Sequence, residues 1–298
     1  MLIALLVPLA LASVLFTVVL LRSAIAKRAK PSAEGMALGA ITNFFDTLGI
    51  GSFAPTMAWF KFRKLVPDRL IPSTMLVGHS LPSIQQAFIF LILLGLLVDP
   101  VLIVGCAFSL MLGGLVGAPL VARTRVWMIQ LIVAVALLIA GTLYTMSNLE
   151  IMPPGGTANS LPVNLTIIAI AVNFVLGILL NFGIGHYAPS LVMLSLMGLD
   201  PRLAFPVMAT GAALTLAGAG TRHVLTGHLD LRVAMGIVIG GIPAVFVAAF
   251  IVKEMPLEAL RWLVAAVVLY AAGVMLHAAL RGRRDERAHM VLALDAAE

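Results

Sequence analysis

Two segments of the chain hold residues whose types and spacing can do chemistry. Residues 49–72 read GIGSFAPTMAWFKFRKLVPDRLIP, and residues 183–206 read GIGHYAPSLVMLSLMGLDPRLAFP. Aligned without a gap, Gly49, Gly51, Pro55, Pro67 and Pro72 fall on Gly183, Gly185, Pro189, Pro201 and Pro206. Glycine and proline interrupt helices. A helix that restarts after Gly-Ile-Gly presents unpaired N–H groups and the positive end of its dipole. Such an end binds an anion without a buried arginine. Ser52, Thr56, Tyr187 and Ser190 add hydroxyl donors, and His186, standing where the first segment has Ser52, adds a group that titrates near neutral pH. The chemistry implied is non-covalent binding of an anion. The plainer alternative is that Gly-x-Gly lets membrane helices pack closely. Duplication of the motif together with its proline favours a cavity between two broken helices.

The other candidates are polar residues inside apolar segments. Of the 13 acidic residues, Asp46 alone lies clearly within one, three positions before Gly49. An intramembrane carboxylate is costly and faces a cavity or a partner. Asp46 is therefore a candidate for coupling a proton or cation to substrate movement, or else a protonated group bonded to a neighbouring helix. Its counterpart in the second segment is Leu180, so the two copies differ here. Asn43, Thr47, His79, Asn181 and Thr210 are candidate pore-lining residues, and each serves equally well as a hydrogen bond between helices. The single cysteine, Cys106, allows neither an intramolecular disulfide nor a cysteine-rich metal site. The sequence holds no Gly-x4-Gly-Lys-Ser/Thr loop, no His-Glu-x-x-His and no Gly-x-Ser-x-Gly. The expectation is a non-enzyme with no cofactor and no metal.

The elements that must position these residues are membrane helices. The 298 residues are 61% hydrophobic and 11% charged, and the mean hydropathy is +1.11. A globular chain runs nearer half apolar and a quarter charged. The apolar blocks reach the ~20 residues needed to cross a bilayer. The net charge of +6 does not indicate nucleic acid, because nearly every Lys and Arg sits in a short loop or near the C-terminus, where topology rules place them. The partners expected are a small anionic substrate and the lipid bilayer; a homo-oligomer stays open.

Residues 1–30 read as an extra N-terminal span followed by a basic loop, because the basic cluster follows the apolar run rather than preceding it as in a signal peptide. Residues 31–150 and 151–280 read as two homologous repeats, and 281–298 as a charged cytoplasmic tail. In each repeat a segment broken at Gly-Ile-Gly (35–61; 163–198) precedes three further apolar segments. Loops 61–69, 123–125 and 222–232 and the tail carry the basic residues, while linker 148–162 carries none. This pattern fits if each broken segment enters and leaves on one side as a re-entrant hairpin. Three crossings then separate the hairpins, and the repeats are inverted. Four crossings per half would give parallel repeats and place loop 61–69 outside. The glycines Gly113, Gly114, Gly117, Gly240 and Gly241 read as packing residues. The fold class expected is all-α and polytopic, in a bacterial-type cytoplasmic (inner) membrane with the C-terminus in the cytoplasm.

The duplicated Gly-Ile-Gly followed by proline resembles the TauE/SafE family of sulfite and organosulfonate exporters, over residues 35 to about 280. Family members typically read Gly-Ile-Gly-Gly-Gly, where this chain has Gly49-Ile50-Gly51-Ser52-Phe53 and Gly183-Ile184-Gly185-His186-Tyr187. The resemblance implies secondary transport of a sulfur-containing or carboxylated anion by alternating access, with the substrate between the two motifs. A passive anion channel would use the same donors, and a scaffold would carry no flux.

Overall fold

A computed structural model describes residues 2–117, 125–151, 156–180 and 184–295. Among these residues the regular elements are helices, apart from one isolated bridge between Ala158 and Leu199. The helices are α1 (Leu2–Ala26), α2 (Ala33–Thr47), α3 (Phe53–Arg63), α4 (Ile71–Leu93), α5 (Pro100–Gly117), α6 (Val126–Asn148), α7 (Val163–Leu180), α8 (Tyr187–Leu196), α9 (Pro201–Thr226), α10 (Leu231–Glu254) and α11 (Leu257–Asp295). Eight of them, all but α2, α3 and α8, are long and apolar enough to cross a bilayer. The chain is a multi-pass membrane protein. Helix α11 runs on through the charged segment after residue 280.

The most buried spans, α4 and α9, pack on each other at the centre. Around them α2 lies along α10, α7 along α5, and α6 along α11, while α1 rests on α9 and α4. Glycine permits the two closest approaches between helices. A Cβ on Gly240 would stand 1.9 Å from the Met36 carbonyl oxygen, and one on Gly113 would stand 2.0 Å from that of Phe174. Helix α1 adds Leu9, Phe16, Leu20 and Ala24 to the core.

Both broken segments fold back on themselves. Glu34, in the first turn of α2, accepts hydrogen bonds from Trp59 and Arg63, the latter the last residue of α3. Ala158, just ahead of α7, exchanges backbone hydrogen bonds with Gly198 and Asp200, just after α8. Pairs α2–α3 and α7–α8 are therefore antiparallel hairpins, each starting and ending at one level.

Contacts between loops fix two ends of the bundle. At one end Ser32 donates its N–H to the Arg232 carbonyl, Ser73 its hydroxyl to the His228 carbonyl, and Asp230 its N–H to the Thr74 hydroxyl. These tie the open end of α2–α3 to the start of α4 and the α9–α10 turn. At the other end Asn148 donates to the Arg261 carbonyl, and Arg202 to that of Met255, beside the open end of α7–α8. Among the described residues, Arg202, Lys253 and Arg261 are the cations at this second end; the other Lys and Arg residues fall toward the first.

Candidate functional site

The turn between α2 and α3 follows from its glycines. Gly49 has φ +97° and Gly51 φ +88°, a left-handed conformation that residues with a Cβ rarely adopt. The Gly49 N–H bonds the Asp46 carbonyl, and the Ile50 N–H bonds that of Phe45. This pair of bonds is the Schellman arrangement that closes a helix C-terminus. The second hairpin repeats the longer bond at the matched position, from the Ile184 N–H to the Leu179 carbonyl. The short helices also end alike. Lys64 and Gly198 both take positive φ, and the Leu65 and Leu199 N–H groups bond the Phe60 and Leu194 carbonyls. Gly183 and Asn181 lie outside the described residues.

Neither α3 nor α8 has a side-chain cap on its first turn. Pro55 and Pro189 fall at the third helical position of each, where the absent proline N–H costs nothing because that group has no partner within the helix. The tip of the first hairpin meets the short helix of the second: a Cβ on Gly49 would touch Leu191 of α8 at 3.1 Å and Phe205 of α9 at 4.0 Å. Beside the tips, a Cβ added at Gly51 or Gly185 meets nothing within 4 Å, so both positions border open space.

The two sites differ in what already occupies them. Asp46 accepts the Ser52 N–H at 2.7 Å, closing the turn over Gly49-Ile50-Gly51 with an internal carboxylate. Leu180 stands at the matched position in the second hairpin, so that site has no carboxylate of this origin. His186 points its Nε2 at the Met208 carbonyl at 3.2 Å, which requires that nitrogen to carry the proton. Its ring meets that of Tyr187 edge-on at 4.6 Å.

Two buried polar links brace the hairpins. Asn43 donates Nδ2 to the Gly39 carbonyl, which leaves its Oδ1 to accept from His79 Nδ1 at 2.9 Å. His79 Nε2 must then accept, and Thr56 donates to it at 3.0 Å. One neutral imidazole thus joins α2, α3 and α4. In the second hairpin Ser190, the counterpart of Thr56, donates directly to Asn173 Oδ1 at 3.3 Å. Thr47 and Thr210 bond backwards to the carbonyls of Asn43 and Pro206. Sequence reasoning names Thr56, His79 and Ser190 but misses Asn173 and Gln86. Gln86 is fully buried, and its carboxamide lies beside the Tyr187 hydroxyl. The available signal is a polar residue within an apolar run, the same one that identifies Asn43.

The arrangement places two uncapped helix starts, one Tyr and one internal carboxylate near the middle of a helical bundle. It can hold an anion. Among the described residues no group of three or more His, Cys, Asp or Glu is placed to hold a metal ion.

Residues 165–296 match the sulfite exporter TauE/SafE family. The match takes in nearly all of α7 and the whole of α8 to α11, and it supports the family that the duplicated glycine motif suggests. No curated protein and no solved structure gives a match. That family is one of sulfite exporters.

Proposed function

We propose that the chain is a secondary transporter that moves a small anion such as sulfite, an organosulfonate or a related carboxylate across the cytoplasmic membrane. The observation that carries this reading is the meeting of the two hairpins, the Gly49 turn against Leu191 of α8, with open space beside both Gly51 and Gly185. Irregular backbone within a membrane is tolerated where it is buried in protein or lines a cavity. Helix starts at such a cavity supply positive dipole ends and N–H donors for an anion.

Hairpins that open toward opposite ends of the bundle, and turns matched at residues 50 and 184 and at 65 and 199, support two inverted repeats. That architecture suits a carrier that exposes one central site alternately to each side. The basic end of the bundle is assigned to the cytoplasm, which puts the C-terminus there. Asp46 is the group assigned to coupling: it is the buried carboxylate on the turn beside the substrate space, and its protonation would change the charge next to a bound anion. Transport runs as export coupled to a proton or ion gradient.

The test is flux of sulfite, sulfoacetate and small carboxylates in proteoliposomes, with and without a pH gradient. Saturable flux that follows the gradient is the expected result. Flux that neither saturates nor couples would make the chain a channel, and no flux of any anion would overturn transport.

A further inference from the structure

Gln86 and Tyr187 stand out among the buried polar groups. Gln86 is fully buried and Tyr187 is 5% exposed. Neither the Gln86 carboxamide nor the Tyr187 hydroxyl makes a hydrogen bond of good geometry, although the two side chains lie within interaction range of each other. A buried polar group without a partner is costly in a low-dielectric interior. Three such atoms in one place mark a site that something else completes.

Their position is that of the proposed substrate space. Tyr187 is the first residue of α8, next to Gly185 and its open space. Gln86 lies one turn before Phe90 on α4, and Phe90 packs against Phe205, which borders Gly49. The pair therefore sits where the uncapped end of α8 faces the centre of the bundle.

Their chemistry sets the ligand class. The carboxamide nitrogen offers two donors and the phenol one, which suits the oxygens of an oxyanion. The carboxamide oxygen is an acceptor, and Asp46 lies close enough to Tyr187 to act on it electrostatically. A ligand made only of acceptors would leave that oxygen unpaired and meet the Asp46 carboxylate unshielded. We propose that Gln86 and Tyr187 form the recognition pair for the transported species, and that this species is a small oxyanion carrying its own hydrogen-bond donor. The donor, a hydroxyl or an acid proton, bonds Gln86 Oε1 while the anionic oxygens take the Gln86 amide, the Tyr187 hydroxyl and the start of α8. The inference rests on the transport reading in calling this ligand the substrate.

The test uses the purified full-length protein and two probes that differ by one hydroxyl, isethionate and ethanesulfonate. Titration calorimetry is expected to show isethionate binding at least about tenfold more tightly, the discrimination of a buried site that hydrogen-bonds a ligand hydroxyl. Gln86→Leu should bring the two probes within about threefold of each other while its thermal midpoint holds or rises, because the change removes unpaired buried polar atoms. Tyr187→Phe should weaken both probes and likewise hold its midpoint. Equal affinities in the unaltered protein, binding of neither probe, or a preference that survives Gln86→Leu would each overturn the proposal. So would a fall in midpoint in both variants, which would place the partners of these groups within the protein itself. Isethionate binding without any saturable flux would instead sink the transport reading and leave the recognition pair standing.

Discussion

Arg63 Nε lies 2.9 Å from Glu34 Oε1, joining residues 29 apart in sequence and bringing the end of α3 back to the start of α2. Were residues 34–63 one continuous helix, the same residues would stand about 40 Å apart. In a Cys106→Ala background, the pair Glu34→Cys and Arg63→Cys should therefore cross-link within one chain through a short bis-maleimide. Failure to cross-link in the folded protein would refute the hairpin. The ion pair itself is exposed and marks geometry more than stability. Hydrogen bonds from Arg63 and then from Trp59 hold the Glu34 carboxyl below its usual pKa. A carboxyl lowered in the folded state contributes above its unfolded pKa and loses that contribution as pH falls through the lowered value. The tie should thus persist through neutral pH and open only in acid.

The two hairpins open to opposite ends, and that relation can be tested separately. Lys64→Cys and Ala158→Cys, each in the Cys106→Ala background, report the two open ends. In intact cells a membrane-impermeant maleimide should label Ala158→Cys and leave Lys64→Cys unlabelled until the membrane is permeabilised. Labelling of both from the same side would refute the inverted arrangement.

His79 joins three helices through two hydrogen bonds, while Ser190 makes one longer bond to Asn173. His79→Leu leaves the Asn43 carboxamide oxygen buried without its partner and should cost about 2 kcal/mol or more, against about 1 kcal/mol for Ser190→Ala. Thermal unfolding in detergent should rank the midpoints as unaltered protein, Ser190→Ala, then His79→Leu. An unchanged midpoint for His79→Leu would mean that the triad does not brace the hairpin.

Asp46 combines two roles that substitution can separate. Asparagine keeps an oxygen for the Ser52 N–H but carries no charge; alanine removes both. Asp46→Ala should lose about 1 kcal/mol or more by leaving the buried Ser52 N–H without its acceptor, whereas Asp46→Asn should unfold close to the unaltered protein. In proteoliposomes Asp46→Asn should move anion down its own gradient but no longer respond to an imposed pH gradient. Retained pH coupling would remove Asp46 from the coupling role.

The helical class and the position of both breaks were legible in the sequence because length, apolarity and glycine-proline punctuation are local signals. The match of residues 49–72 to 183–206 was legible for the same reason. The partners of the polar residues were not. Thr56 and Ser190 read as donors to a ligand, yet both spend their protons inside the protein, on His79 and Asn173. Asp46 lies on the turn where the sequence puts it, but that its carboxylate closes over the Ser52 N–H depends on backbone angles at Gly49 and Gly51. Gln86 lies in a long apolar helix and acquires meaning only when α8 brings Tyr187 beside it. Each of these depends on which helix faces which, a tertiary relation that hydropathy does not encode.

Gly51 and Gly185 occupy matched positions but should fail differently when changed to alanine. A Cβ at either meets open space, so neither variant introduces a clash. Gly51 has φ +88° and Gly185 does not share this strained region. Gly51→Ala should therefore cost about 1–2 kcal/mol in backbone strain and lower the thermal midpoint, while Gly185→Ala should leave it in place. If the open space is where the anion sits, the Gly185→Ala methyl group projects into it beside the start of α8. Its flux should then show a half-saturating concentration raised by about tenfold or more with folding intact, the mark of lost ground-state binding. Normal half-saturation in Gly185→Ala would move the anion away from the start of α8.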